Sequence, residues 1–477
     1  MRSTIDFHIP TKTGLSLALA GVMTAGCSSD TTGVDLAAIE RGITEVAVSA
    51  GVAAMLGGTQ HTLGTLGLAL EKQAPTFLIY LPPDYSDANA DGYPVLYLLH
   101  GFGNDPWTWV QTYGLPQLLD GMIADGTIEP MIVVMPNGMG DLIGSFYTDS
   151  VFDEAVGVAV PENVAFGAFK SYILGVMEQV EATYNTSTPT PISLAGLALG
   201  DPFSASGRAI GGLSMGGYGA TLIAETVPVF SAVLAHSAPL AFSNFLDVDP
   251  LIGLSVPQIL LAETKALLDA DAMNAGSAAL IGDENAVFTT FSFALSGAFT
   301  PIAGPLAAFD MGAQVALGLG DTTYAALLDP LLFTDPPLSQ LDNYQYPLSL
   351  VTDSGTPQLD DDIWIGAQLP IDAAGGTVTT VFDDQWLLHH DAQTLMGDAL
   401  VAGGLLAQDT DFFVDVGDFD DLGLADDVAD FVTTAEGALG VGQVTFETFV
   451  GGHSDVFADR IPVSLTWLSG IFAEEAE

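Results

Sequence analysis

The stretch Gly207-Arg-Ala-Ile-Gly-Gly-Leu-Ser-Met-Gly-Gly-Tyr-Gly-Ala220 constrains the fold more than any other part of the chain. Inside it, Gly212-Leu213-Ser214-Met215-Gly216 fits the pattern G-x-S-x-G. That pattern sets a serine hydroxyl on a tight strand-to-helix turn. The strained backbone and the close helix–strand packing there demand small neighbours. The flanks agree. Residues 208–212 read as a short strand entering the turn, 218–226 as the start of a helix, and 228–235 as the next buried strand. Chance alone supplies such pentapeptides in a chain with 53 glycines. The strand–turn–helix context therefore carries the reading of Ser214 as a nucleophile.

The segments before the turn supply the rest of a sheet. Thr76-Phe-Leu-Ile-Tyr-Leu81 reads as a strand ended by Pro82-Pro83. Tyr93-Pro-Val-Leu-Tyr-Leu-Leu99 is a nearly continuous apolar run, the mark of a strand buried on both faces of a largely parallel sheet. It delivers His100-Gly101-Phe102-Gly103. A glycine-rich loop there lets backbone N–H groups face a substrate oxygen. The N–H groups of Met215 and Phe102 are the expected oxyanion hole. His100 reads as a loop-ordering residue, because a better-placed histidine lies downstream. Residues 118–124 read as a helix and 131–135 as another buried strand, while 144–150 form a loop lining the site mouth. Residues 169–184 have helical spacing, with Tyr172, Val176, Val180 and Tyr184 on one side. This alternation predicts a three-layer α/β sandwich.

Regular pattern returns near the C-terminus. Asp411-Phe-Phe-Val-Asp-Val-Gly417 reads as a strand, with Asp418-Phe-Asp420-Asp421 at its end. A helix over 426–439, a strand over 444–450, Gly451-Gly-His453-Ser-Asp455 and a closing helix over 461–472 follow. Serine, acid, histidine is the chain order of an α/β-hydrolase triad. Ser214 would attack an ester carbonyl, His453 would take and return the proton, and a carboxylate would fix the imidazole tautomer. Asp420 is the chosen acid. Asp418 and Asp421 compete with it, because loop geometry decides which carboxylate points inward. Between the halves, residues 242–410 predict a large helical insert, a cap or lid controlling access, with helices over 256–268, 286–295 and 306–319. No cofactor motif or metal cluster stands out there. His389-His390 lacks a third ligand at metal spacing and reads as structural, as do His61 and His236.

Composition excludes some functions. The chain has 59 acidic residues against 8 basic ones, so no basic patch is available to neutralise phosphates. Nucleic-acid binding is excluded on that ground, and an anionic membrane surface would repel the protein. A solvated acidic surface, or adaptation to salty water, accounts for the excess. The only cysteine, Cys27, rules out an intramolecular disulfide. It follows a basic start and an apolar stretch over 14–26 that is too short to span a bilayer. Thr24-Ala-Gly-Cys27 is similar to the lipobox of bacterial lipoproteins. Residues 1–26 are then a signal peptide, Cys27 a lipidated N-terminus and sole membrane anchor, and 27–65 a tether and lead-in whose residues 34–56 read as a helix. The expected address is the outer membrane or cell surface. Asp87-Ala-Asn-Ala-Asp-Gly92 matches half of a calcium loop, but lacks its late acidic residue and reads as a polar turn.

Several stretches together resemble the esterase family of α/β-hydrolases related to esterase D. They are Tyr80-Leu-Pro-Pro83, the run from Tyr93 through His100-Gly101, Gly144-Ser-Phe-Tyr147, Arg208–Ala220 and Gly451-Gly-His-Ser454. That family includes feruloyl and other carbohydrate esterases, tributyrin-type carboxylesterases, S-formylglutathione hydrolases and mycolyltransferases. The resemblance implies a core over 66–241 and 411–477 and no cofactor. It places the acid three residues after a strand-end glycine, hence Asp420 after Gly417. It implies a serine carboxylesterase acting on acylated polysaccharide, feruloyl or short-chain acyl esters. Acyl transfer of the mycolyltransferase type, or a non-catalytic envelope binding protein on the same fold, are the alternatives. The chain departs from the family in the roughly 200 residues between Ser214 and Asp420, far longer than an ordinary loop.

Overall fold

In the computed structural model the apolar runs of the sequence gather into one eight-stranded sheet. The structure describes residues 42–58, 60–63, 70–140, 144–151, 164–242, 294–305, 363–367, 371–372, 377–378, 382–401 and 410–476. The strands of the sheet are β1 (Ile43–Ala47), β2 (Thr76–Tyr80), β3 (Val95–Leu99), β4 (Ile132–Pro136), β5 (Arg208–Leu213), β6 (Ala232–His236), β7 (Asp411–Gly417) and β8 (Val444–Phe449). Their spatial order is β1-β2-β4-β3-β5-β6-β7-β8. From β4 to β8 every pairing is parallel. β2 runs antiparallel to both of its neighbours. β3, β4, β5 and β6 are buried along their whole length, which is why β3 and β4 are unbroken apolar runs and why the polar ends of the other two, Arg208 and His236, are fully buried.

Helices close both faces. The described ones that matter here are α1 (Leu115–Ala124), α2 (Phe169–Thr183), α3 (Met215–Thr226), α4 (Ala392–Val401), α5 (Leu424–Leu439) and α6 (Phe457–Glu475). Successive residues of a strand face opposite sides. Val95, Tyr97 and Leu99 of β3 accordingly join a core with α2, α3 and α5. Leu96 and Leu98 join a second core with α1 and α6. The result is the three-layer, mostly parallel α/β sandwich expected from the sequence. Its N-terminal strand ends are tied by a buried ion pair. Arg208 Nε donates to Glu181 Oε1 at 2.6 Å and Nη2 to Oε2 at 2.9 Å, both side chains fully enclosed.

Some expectations change. The segment 34–56 was expected to be helical, yet Ile43–Ala47 is a strand that extends the sheet beside β2. Its β-branched residues Ile43, Thr44 and Val46 favour extended backbone, and only the short helix Ala50–Ala54 follows. The loop 144–150 was expected at the site mouth. Phe146 and Tyr147 are instead fully buried, with Tyr147 donating to the carbonyl of His100 at 2.9 Å. That loop is an inner wall, not a rim.

The described parts of 242–410 are not all helical. Pro301–Pro305 pairs with Ile363–Ala367, and Ile371–Asp372 with Thr377–Val378, as antiparallel ribbons. Residues 382–401 dock on α3 and the chain after β6. Tyr218 donates to the carbonyl of His390 at 2.7 Å, and the Gln393 N–H to that of Leu240 at 2.9 Å. The helices expected over 256–268 and 306–319, the signal segment 1–26 and Cys27 lie outside the described residues. Among the described residues no helix is long and apolar enough to cross a membrane.

Candidate active site

β5 ends at Leu213 and α3 begins at Met215, so Ser214 alone makes the turn. Its backbone sits at φ 57°, ψ −120°, a conformation costly for a residue with a Cβ, about 1–3 kcal/mol. The surroundings hold it there. The Ser214 N–H donates to the carbonyl of His236 at 2.8 Å, and its own carbonyl accepts from Tyr218 N–H at 3.0 Å. A Cβ on Gly212 or Gly216 would overlap the carbonyl of Leu99, so the turn can lie against β3 only with glycine at both places. Met215 is the first residue of α3, and its N–H is one of the donors a helix start leaves unpaired. Phe102 follows β3 on the adjacent loop, and its ring packs against Gly144 beside the sulfur of Met215.

His100 orders that loop. Its Nε2 accepts the Gly138 N–H at 2.8 Å, which fixes the proton on Nδ1, 2.9 Å from the Gly101 carbonyl. Asn137 Oδ1 takes the Met139 N–H at 2.9 Å. Burial pushes the His100 imidazole down to about 4, so it stays neutral. A neutral ring with both nitrogens engaged has no lone pair left for proton transfer.

β7 and β8 carry the other two groups. His453 Nδ1 lies 2.9 Å from Asp420 Oδ2, with both side chains enclosed. Asp420 Oδ1 accepts the Leu422 N–H at 2.9 Å. Both carboxylate oxygens are thus satisfied, and the His453 proton is held on Nδ1. Nε2 of His453 is buried and has no hydrogen-bond partner among the described residues. A nitrogen in that state can accept a proton. The three aspartates separate by burial. Asp418 is exposed, whereas Asp421 is half-buried against Gly452 and accepts the backbone N–H of His453. Loss of solvent pushes the Asp421 carboxyl up.

The other candidates have structural partners. Tyr85 donates to Asp87 at 2.7 Å, Asn89 accepts the Asp91 N–H at 3.3 Å, and Asn89 Nδ2 donates to the Gly92 carbonyl at 2.9 Å. These side chains close the loop on itself as a turn. His390 stacks on Phe299, centroids 4.2 Å apart, and enclosure pushes it down to about 3. His61 lies in the strand Gln60–Leu63, not in a turn. Among the described residues no group of three or more His, Cys, Asp or Glu is placed to hold a metal. His236 is fully buried, its Nδ1 2.8 Å from Asp415 Oδ2. Sequence reasoning missed Asp415 and its partner Arg460. The available clue was an aspartate inside the apolar run of β7.

Known proteins bear on the same region. A family model described as "Putative esterase" matches residues 69–283. A 64-residue stretch is 41% identical to an endo-1,4-beta-xylanase/feruloyl esterase of Xylanibacter ruminicola. The match covers 13% of this chain and 9% of the relative's length. Among solved structures, a ferulic acid esterase aligns at 16% identity and a TM-score of 0.39, over 90% of this chain and 99% of that one. Fluorophosphonate-binding serine hydrolase F of Staphylococcus aureus aligns at 15% identity and a TM-score of 0.40, over 86% and 97%.

Proposed function

We propose, on the match of residues 69–283 to a family model described as "Putative esterase", that the chain is a serine carboxylesterase with Ser214 as nucleophile, His453 as base and Asp420 as the acid. The observation that carries this is the pairing of His453 with Asp420 at the strand ends beyond a serine held at φ 57°. Ser214 Oγ attacks the ester carbonyl as its proton passes to His453 Nε2. Asp420 stabilises the imidazolium through Nδ1–H. The tetrahedral oxyanion is met by the N–H groups of Met215 and Phe102. Collapse expels the alcohol, which takes the proton back from His453. Water then repeats the sequence on the acyl-enzyme and releases the acid.

The likeness to an endo-1,4-beta-xylanase/feruloyl esterase supports acylated polysaccharide, feruloyl or short-chain acyl esters as the substrate class. Residues 1–26 act as an export signal, Cys27 as the lipid-anchored N-terminus, and 27–65 as tether and lead-in. The cap over 242–410 sits between core segments 66–241 and 411–477. The test uses the chain from residue 28 onward beside Ser214→Ala. Both are assayed on p-nitrophenyl acetate and butyrate, methyl ferulate and acetylated xylan, and with a fluorophosphonate probe. Hydrolysis and labelling by the parent, both lost in Ser214→Ala, are expected. A parent that neither turns over nor labels would mean a binding protein on this fold.

A further inference from the structure

Ser464, His236 and Asp415 form a second Ser–His–Asp array. His236 Nδ1 lies 2.8 Å from Asp415 Oδ2 and Nε2 lies 3.1 Å from Ser464 Oγ. Ser464 and His236 have no exposed surface and Asp415 has 3%. No ester can reach that serine. The array matters because of what it holds. The His236 carbonyl fixes the N–H of Ser214, and Asp415 is the anchor of Arg460.

Arg460 sits three residues into α6, on the far side of the loop that bears His453. Its guanidinium binds both carboxylate oxygens of Asp415, Nε at 3.3 Å from Oδ2 and Nη2 on Oδ1. Nη2 also donates to Ser237 Oγ at 3.2 Å, on the residue that follows β6. The same group touches both ends of the histidine loop. It lies 3.6 Å from the ring centroid of Phe449, the last residue of β8, and Nη1 is 3.4 Å from the carbonyl of Asp455. Asp455 in turn accepts the N–H of Gly452 at 2.8 Å, next to His453. A hydrogen-bonded path thus runs from Ser214 through His236, Asp415 and Arg460 to the loop of His453. The chain has only 8 basic residues, and this one is buried at the crossing of three strand ends.

We propose that Arg460 is a positioning residue that sets the His453 loop against the strand ends bearing Ser214, by clamping Phe449 and the Asp455 carbonyl to Asp415 and Ser237. Its kinetic consequence rests on the esterase reading above. Only a planar, forked cation serves. A guanidinium can stack on a ring while it bridges a carboxylate, a hydroxyl and a carbonyl, and an ammonium cannot.

Arg460→Met removes the buried cation from Asp415, leaving the carboxylate only its contact with His236, and endangers folding. Arg460→Lys is therefore the deciding variant, since it keeps a cation on Asp415 and loses the fork. Amide hydrogen exchange at 450–456 should quicken in Arg460→Lys while β5 keeps its protection. Its kcat and fluorophosphonate labelling rate should fall roughly tenfold or more, because a small misplacement of a catalytic base is expensive. KM should stay within about twofold, because ground-state binding is untouched. A folded Arg460→Lys protein with parental exchange at 450–456, or with parental kcat, overturns the proposal. Failure of the esterase reading has another signature. The parent would then be inert to substrate and probe alike, and exchange at 450–456 would still decide whether Arg460 holds the loop.

Discussion

At the scale of single residues, the site turns on which carboxylate meets His453. Asp418, Asp420 and Asp421 are chemically alike and adjacent, so no periodicity separates them. The turn after β7 does. It buries Asp420 against the imidazole, leaves Asp418 in solvent and swings Asp421 toward the backbone of His453. Asp420→Asn should keep the fold and lower kcat about 10⁴-fold, since an amide cannot hold the imidazole in the right tautomer with its charge balanced. Asp418→Asn should leave kcat unchanged. Asp421→Asn should cost a few-fold at most, because it acts only on the loop backbone. Steady-state kinetics on one ester with all three variants checks this order. A loss at Asp421 that equals the loss at Asp420 would reverse the assignment.

At the scale of elements, the sequence was informative wherever burial is complete. β3, β4 and β6 were legible because both faces are covered, which leaves apolar runs broken only by His236 at the end of β6. The turn at Ser214 was legible because close packing admits only glycine on either side. β1 was missed for the opposite reason. It is a half-exposed edge strand with Glu45 at its centre, inside a stretch rich in alanine. The buried wall Phe146-Tyr147 was also missed. Both residues have positive φ, at 49° and 54°, a strain that only tertiary packing reveals. The clamp at Arg460 joins residues more than two hundred positions apart, beyond the reach of any local pattern. The elbow itself makes a sharp prediction. Gly216→Ala would press a methyl into the Leu99 carbonyl. It should cost about 1–3 kcal/mol of stability. Fluorophosphonate labelling should drop at least about a hundredfold, because Ser214 is pushed off its position. Urea unfolding and labelling kinetics on one preparation measure both effects.

At the scale of the whole molecule, groups buried in their neutral forms give stability two opposed dependences on pH. His100 has a native value of about 4 against an ordinary 6.5. Between those limits the unfolded chain binds a proton that the native state refuses, so stability falls as pH falls through that window. Complete passage costs about 3 kcal/mol, taking 1.4 kcal/mol per unit. Glu225 behaves the other way. It is buried on α3, both carboxyl oxygens lack partners among the described residues, and burial first, then Asp391, pushes it well above the carboxylate range. The native state keeps a proton that the unfolded chain has lost above its ordinary value of 4.5. This contribution is complete below that value and is lost as pH rises toward the native one. An acidic chain adds self-repulsion, which high salt screens. Urea unfolding in high salt at several pH values, comparing His100→Gln and Glu225→Gln with the parent, separates the two dependences. Glu225→Gln should gain stability over the parent as pH rises and show least advantage in acid. His100→Gln should gain over the parent only as pH drops below about 6.5. Parallel curves for all three proteins would show that neither group is held neutral in the fold.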